Sequence, residues 1–219
     1  MASDKIVSTI CPLCLQNKIV FYCADSKRPY LRCEGCDLVF VPEDYHIPAR
    51  REKVEYDKHQ NSAEDSGYRR FLGRLSEPLL GRLEPRSSGL DFGSGPGPAL
   101  PTLLREQGHS IEIYDQFYAL YPEVLDRQYD FVTATEVFEH LREPARTLNQ
   151  LWSLVKPGGL LGVMTKLVEN KTAFEKWHYK NDPTHIIFFS ETTMQWLAEY
   201  WRARKELVAD DAIIFRKTV

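Results

Sequence analysis

The 219-residue sequence has no apolar run of the length a membrane-spanning helix requires, and no membrane partner is expected. Its opening, MASDKIVSTICPLC, carries an early acid and no apolar stretch. It therefore lacks the pattern of a secretory signal, and a reducing, cytoplasmic setting is expected. Basic charge is not in excess either. Lys and Arg number 28 against 31 Asp and Glu, a net −3, so no global positive field advertises nucleic acid, although a local basic patch stays open. Internal repeats and low-complexity tracts are absent. Cysteine is scarce: all five residues lie before position 45, and in a reducing setting they read as metal ligands or buried thiols, not as a disulfide scaffold. At 43% hydrophobic and 27% charged residues, the chain can bury a core, which excludes wholesale disorder.

Composition divides the chain at about residues 1–45, 46–86 and 87–219. In the first part, Cys11-Pro-Leu-Cys14 and Cys33-Glu-Gly-Cys36 are two CxxC pairs with residues 15–32 between them. Each pair forms a tight turn aiming two thiolates at one point, and two such turns complete a tetrahedron for Zn(II). Four ligands leave the metal no open position, so its expected role is structural. A chelator is then expected to unfold only this ribbon. Cys23 belongs to neither pair and reads as a small buried residue. Lys18, Lys27, Arg28 and Arg32 form either a solvated ribbon face or an RNA contact. In the middle part, Tyr68, Phe71, Leu72, Leu75, Leu79 and Leu80 recur at helical spacing. This predicts a helix that packs on the third part. Tyr56, His59 and Tyr68 form either a lid or plain linker packing.

From residue 88, strand and helix patterns alternate, which predicts an α/β fold: a mostly parallel, Rossmann-like sheet of six or seven strands ending in an antiparallel hairpin. Strands are expected at 88–92, 111–114, 129–135 and 160–165. The separation between Asp115 and Tyr129 is too short for a full helix, strand and helix. The intervening strand is therefore expected to be reduced to a piece near Glu123-Val124-Leu125 or lost. In Asp91-Phe92-Gly93-Ser94-Gly95-Pro96-Gly97 a strand enters a loop with glycine at alternate positions, where the backbone can pass close to a ligand and present free amides. The spacing departs from the dinucleotide fingerprint GxGxxG, because the third glycine comes one residue early.

These residues carry a family resemblance. The D-x-G-x-G-x-G segment resembles motif I of class I S-adenosylmethionine-dependent methyltransferases. Two further segments resemble that family's later motifs in the expected order: Tyr129-Asp-Phe-Val-Thr-Ala-Thr135-Glu136-Val-Phe-Glu-His140-Leu141, and Leu154-Val-Lys-Pro-Gly-Gly159. The resemblance implies that Asp91 lies near the cofactor's amino group. It also implies that Gly93, Ser94, Gly95 and Gly97 line its amino-acid portion and ribose, and that Asp115 grips the ribose hydroxyls. Thr135 and Glu136 would border cofactor and substrate. Gln116 and Phe117 are the natural adenine neighbours, with a core role for Phe117 as the alternative. For the chemistry, His140 reads as a base or as a packing residue. Tyr179, Asp182 and His185 are expected to face the acceptor, with His185 as base or as the residue holding its own loop. The branch resembled is that of small-molecule quinone O-methyltransferases, which implies a small-molecule acceptor. An RNA methyltransferase using the ribbon as a grip, and a non-catalytic protein-binding scaffold, are the rival readings. Nothing in the sequence sets an oligomeric state.

Overall fold

The computed structural model describes residues 10–58 and 62–219; His59 lies outside them. The cysteine-bearing segment forms a hairpin of β1 (Ile19–Ala24) and β2 (Pro29–Cys33). Asp25 closes it: its Oδ1 accepts the amides of Lys27 at 2.8 Å and Arg28 at 3.0 Å, the local turn an aspartate favours. The short β3 (Val39–Phe40) pairs with β2.

Helix α1 (Ala49–Tyr56) leads to α2 (Ser66–Leu80), whose N-terminus is capped by Asp65 accepting the Tyr68 amide at 2.9 Å. The helical spacing seen in the sequence delivers Leu72, Leu75 and Leu79 to a buried face against the sheet. Fully burying each leucine contributes roughly 1.5–3 kcal/mol.

The main sheet follows. It contains β4 (Ser88–Phe92), β5 (Ser110–Tyr114), β6 (Tyr129–Thr135) and β7 (Val155–Met164), all parallel to one another. Helix α3 (Ala99–Glu106) links β4 to β5, and α4 (Pro144–Leu154) links β6 to β7. After α5 (Lys171–Lys176), β8 (Ile187–Phe188) and α6 (Glu191–Trp201), the chain ends in the antiparallel hairpin β9 (Arg204–Ala209) and β10 (Ala212–Arg216). The strand order is β5-β4-β6-β7-β10-β9. This is the predicted α/β class, with six strands. The strand expected near Glu123 is lost. Residues 122–126 wind into a 3-10 turn begun by Pro122, and the sheet ends at β5. The segment Lys156–Gly159, expected as a turn, is absorbed into β7 as an irregularity opposite Tyr129–Phe131.

A second sheet, with order β1-β2-β3-β8, was not foreseen. In it Val39 faces Phe188 and Phe40 faces Ile187, so the ribbon borrows a strand from the sequence beyond β7. Aromatic side chains fasten the join: Tyr30 meets Phe174 at 5.0 Å, and Phe174 meets Phe188 at 5.1 Å, both edge to face. One apolar core runs from the ribbon into the main domain. Among the described residues no helix is long and apolar enough to cross a membrane.

Candidate functional site

The glycine loop leaves β4 at Phe92. Gly93 and Gly95 adopt φ of 77° and 64°, in the left-handed region. A β-carbon on Gly93 would stand 2.4 Å from Val137 Cγ2, so glycine is required there twice over, by conformation and by space. At Gly95 a β-carbon would meet nothing within 4 Å, because that side of the loop is open. Asp115, at the end of β5, fastens the loop. Its Oδ2 accepts the Gly95 amide at 2.9 Å, and its Oδ1 accepts those of Phe117 at 2.8 Å and Tyr118 at 3.1 Å. A carboxylate offers about four acceptor positions, and three are taken, which leaves one for a ligand hydroxyl.

Beside the loop lies a cavity of about 850 Å³. Gly93, Ser94, Gly95, Asp115, Gln116, Phe117, Thr135 and Glu136 line one part; His140, Asp182 and His185 line the other. Tyr56 and Tyr68 of α1 and α2 also face it. The ring of Tyr56 packs against Phe117 at 5.7 Å and His140 at 5.1 Å. Its hydroxyl donates to buried Glu52 at 2.9 Å, and Glu52 in turn pairs with Arg142 at 3.0 Å. Three of the predicted residues are not on the wall. Gly97 lies in the turn into α3, where its carbonyl accepts the Ala99 amide. Asp91 is buried beneath the loop, its Oδ1 accepting the Thr133 hydroxyl at 2.6 Å. Tyr179 turns inward and donates its hydroxyl to Glu139. The reason is that residues 178–181 wind into a 3-10 turn, and the fully buried Glu139 carboxylate takes both this hydroxyl and that of Thr165, at 3.0 Å.

Burial governs the electrostatics. Desolvation, reinforced by the Asp115 charge and opposed by the Thr133 hydrogen bond, pushes the Asp91 carboxyl up to about 7. Desolvation, then the neighbouring Glu139 and Asp211, push Glu136 up to about 8. Glu136 also has a strained backbone, with φ 53°, a feature without a signal in the sequence. His185 falls to about 4, chiefly through burial and then the neighbouring His140, against the pull of Glu139 and Asp182. Its Nδ1 donates to the Tyr179 carbonyl at 2.7 Å, so in the neutral ring Nε2 carries the lone pair, 3.9 Å from Asp182 Oδ2. His140 uses Nδ1 on the Thr184 carbonyl at 3.1 Å, and the two imidazoles lie 4.7 Å apart. Glu139, His140 and His185 bring three ligand atoms within 4.8 Å of one another, a geometry able to hold a cation. Sequence reasoning passed over Glu139; its signal was a second acid, three residues after Glu136.

Two side-chain atoms in this cavity's walls, Ser94 Oγ and Glu136 Oε1, are buried with no hydrogen-bond partner among the described residues. Such orphans call for a polar ligand. Together with the amides of the glycine loop and the spare acceptor position of Asp115, they suit the amino-acid and ribose groups of S-adenosylmethionine.

The thiols of Cys11, Cys14, Cys33 and Cys36 also converge within 4.8 Å. Cys11 and Cys36 sulfurs are 3.6 Å apart, and those of Cys14 and Cys33 are 3.4 Å apart. A tetrahedron of metal–sulfur bonds near 2.3 Å needs edges of about 3.8 Å. The two knuckles repeat one another. The Leu13 and Gly35 amides point at Cys11 and Cys33 sulfurs at 3.4 and 3.3 Å, and Leu15 and Asp37 close the turns at φ of 61° and 65°. Of the basic residues weighed as an RNA contact, Arg28 is buried and Arg32 pairs with Asp37.

A parallel sheet closed by an antiparallel hairpin, with a glycine loop after its first strand and an acid ending the next, defines the class I S-adenosylmethionine-dependent methyltransferases. The chain belongs to the methyltransferase-domain family, whose pattern matches residues 59–200. It is 31% identical over 93 residues to a ubiquinone biosynthesis O-methyltransferase of Aeromonas salmonicida, covering 42% of this chain and 39% of that protein. Against the enzyme of the same description from Pseudomonas savastanoi pv. phaseolicola, identity is 36% over 88 residues, covering 40% and 37%. The match thus spans about two fifths of these relatives' length. Among solved structures, a SAM-dependent methyltransferase from Methanosarcina mazei superposes with a TM-score of 0.50 at 15% identity, over 66% of this chain and 99% of that one. That similarity speaks to the fold.

Proposed function

We propose that the chain transfers a methyl group from S-adenosylmethionine to a hydroxyl of a small aromatic molecule. One observation carries the reading: a single cavity joins the glycine loop and Asp115 to His140, Asp182 and His185. A donor at one end and an acceptor at the other would share one cavity, and alignment does most of the work of an in-line displacement. Bound S-adenosylmethionine supplies an electrophilic methyl on a positively charged sulfur. Asp115 and the loop amides would hold its ribose and amino-acid part, Ser94 and Glu136 would satisfy its polar groups, and Gln116 and Phe117 would flank its base. At the other end, His185 Nε2 accepts the acceptor's hydroxyl proton, and the carboxylates of Asp182 and Glu139 stabilise the imidazolium that results. His140 sets one wall of the acceptor's seat. Tyr179 supports His185 from behind, its ring 4.1 Å away. The O-methyltransferase relatives support the choice of an oxygen acceptor.

We read the four thiols as a structural Zn(II) site. Metal analysis of purified chain should give one zinc per molecule, released by thiol oxidation. For the main reading, calorimetry should show S-adenosylmethionine binding, and a panel of phenols and catechols should yield S-adenosylhomocysteine. Asp115→Ala should weaken cofactor binding by roughly 1.5–3 kcal/mol, the cost of a hydrogen bond to a charged group. A wild-type chain that fails to bind S-adenosylmethionine would sink the assignment.

A further inference from the structure

Arg28, in the turn of the ribbon hairpin, is 7% exposed, and its guanidinium makes no contact with a carboxylate within ion-pair distance among the described residues. It reaches instead across to the main domain. Nη2 donates to the carbonyls of Lys180 at 2.6 Å and Asp182 at 2.9 Å, Nη1 to that of Pro183 at 3.3 Å, and Nε to the Tyr30 hydroxyl at 3.1 Å. These carbonyls cluster at the end of a 3-10 turn, where that of Asp182 also accepts the His185 amide at 3.3 Å and that of Lys180 the Tyr30 hydroxyl at 3.5 Å; a planar fork of five N–H groups can reach all three at once. The same hairpin adds an ion pair from Asp25 to buried Lys180 at 3.2 Å. Tyr30 completes the knot by donating to Asp25 at 2.7 Å. On the next strand, the Val41 amide bonds the Ile186 carbonyl at 2.8 Å, and the Ile186 amide bonds that of Glu139 at 2.9 Å. The ribbon therefore holds the 180–186 segment at Lys180, Asp182, Pro183 and Ile186, while Thr184 and His185 are bonded by His140 and Tyr179. That segment carries Asp182 and His185, two of the side chains lining the acceptor end of the cavity.

We propose that the metal ribbon is the positioning element of the acceptor site: Arg28, set by the folded ribbon, fixes the 180–185 loop and with it Asp182 and His185. The inference rests on the functional reading only in naming that end of the cavity as the acceptor's. Arg28 touches neither cofactor nor acceptor; it acts through the loop. Ligand residues Cys33 and Cys36 flank the end of β2, the strand that leads directly from Arg28, so releasing the metal frees the frame on which the guanidinium is mounted.

Hydrogen exchange on the full chain tests this, comparing zinc-loaded native protein, chelated native protein and Arg28→Lys, in which a point charge replaces the fork. Expected in both altered states is about tenfold faster exchange across 178–186, with the 90–97 loop unchanged and the S-adenosylmethionine affinity within about twofold of native. The His185 imidazole resonance supplies a second reading: packed against His140 at 4.7 Å and Tyr179 at 4.1 Å, its chemical shift should move once the loop is loose. With any phenol found to be methylated, its KM should rise more than kcat falls. Unchanged exchange across 178–186 while the ribbon itself opens would overturn the proposal, as would cofactor affinity falling in step with loop opening. Should Arg28→Lys fail to fold, the chelated native chain decides by the same readout. A native chain that binds no S-adenosylmethionine overturns the methyltransferase reading instead, and the exchange data still decide the coupling.

Discussion

Asp91 shows what burial does to a carboxyl placed beneath the glycine loop. Without cofactor it is held with its proton until about pH 7, against an ordinary value of 3.8, because no solvent reaches it and only Thr133 donates to it. A carboxyl whose folded value is raised lends stability that is complete below the unfolded value and is lost as pH climbs towards the folded one. Glu136, raised to about 8, acts with the same sign. The cofactor-free chain should therefore lose thermal stability between about pH 4 and pH 8 from these two groups. Asp91→Asn, which keeps an acceptor for Thr133 and abolishes the ionisation, should flatten part of that slope and raise the Tm at pH 8 above wild type. Differential scanning fluorimetry across pH reads this, and a steeper slope in the variant would contradict the assignment. His185 carries the opposite sign. Its value of about 4 means the folded state resists the proton, so its contribution is lost as pH falls from about 6.5 towards 4.

At the scale of elements, the turn between β4 and α3 makes two glycines unequal. Gly93→Ala combines a left-handed backbone with a collision against Val137, whereas Gly95→Ala meets only the backbone cost of about 1–2 kcal/mol. Gly93→Ala should lower the Tm further, and both variants should bind S-adenosylmethionine more weakly, as calorimetry and melting on the same samples would show. These glycines were legible because their spacing after an apolar strand has few other uses. The strand Tyr129–Thr135 was legible to the residue, since Tyr129, Phe131, Val132 and Ala134 give it a buried apolar body rich in strand-forming residues. The pairing of β3 with β8 was not. It joins segments almost 150 residues apart through two residues on each side, and so short a ladder leaves no periodicity. The inward turn of Tyr179 was hidden for a related reason, because it depends on Glu139, an acid that only the packed fold buries. Arg28 read as a surface charge of a ribbon; what buries it lies at Lys180, Asp182 and Pro183.

For the molecule as a whole, the shared core changes what metal loss should do. A ribbon standing alone would unravel by itself, the expectation drawn from its cysteines. Here Tyr30, Leu31, Val39 and Phe40 belong to the same buried cluster as Phe174 and Phe188. Chelation should therefore lower the melting temperature of the entire chain, by roughly 2–4 °C for each kcal/mol withdrawn, within one cooperative transition. Calorimetry showing the native melting temperature untouched beside a separate low-temperature ribbon transition would contradict that coupling. The strand lost after β5 has its own consequence at this scale. With no further strand beyond it among the described residues, β5 is an edge, covered in part by residues 122–126 and with its Ile111 carbonyl taken by Arg105 at 2.5 Å; what stays open could pair with an extended segment, including β5 of a second molecule. Glu112, exposed midway along it and 3.4 Å from Arg127, places a charge where such stacking would have to begin. Glu112→Val would strip that guard, and light scattering should then report concentration-dependent self-association in a chain whose fold and cavity are otherwise intact.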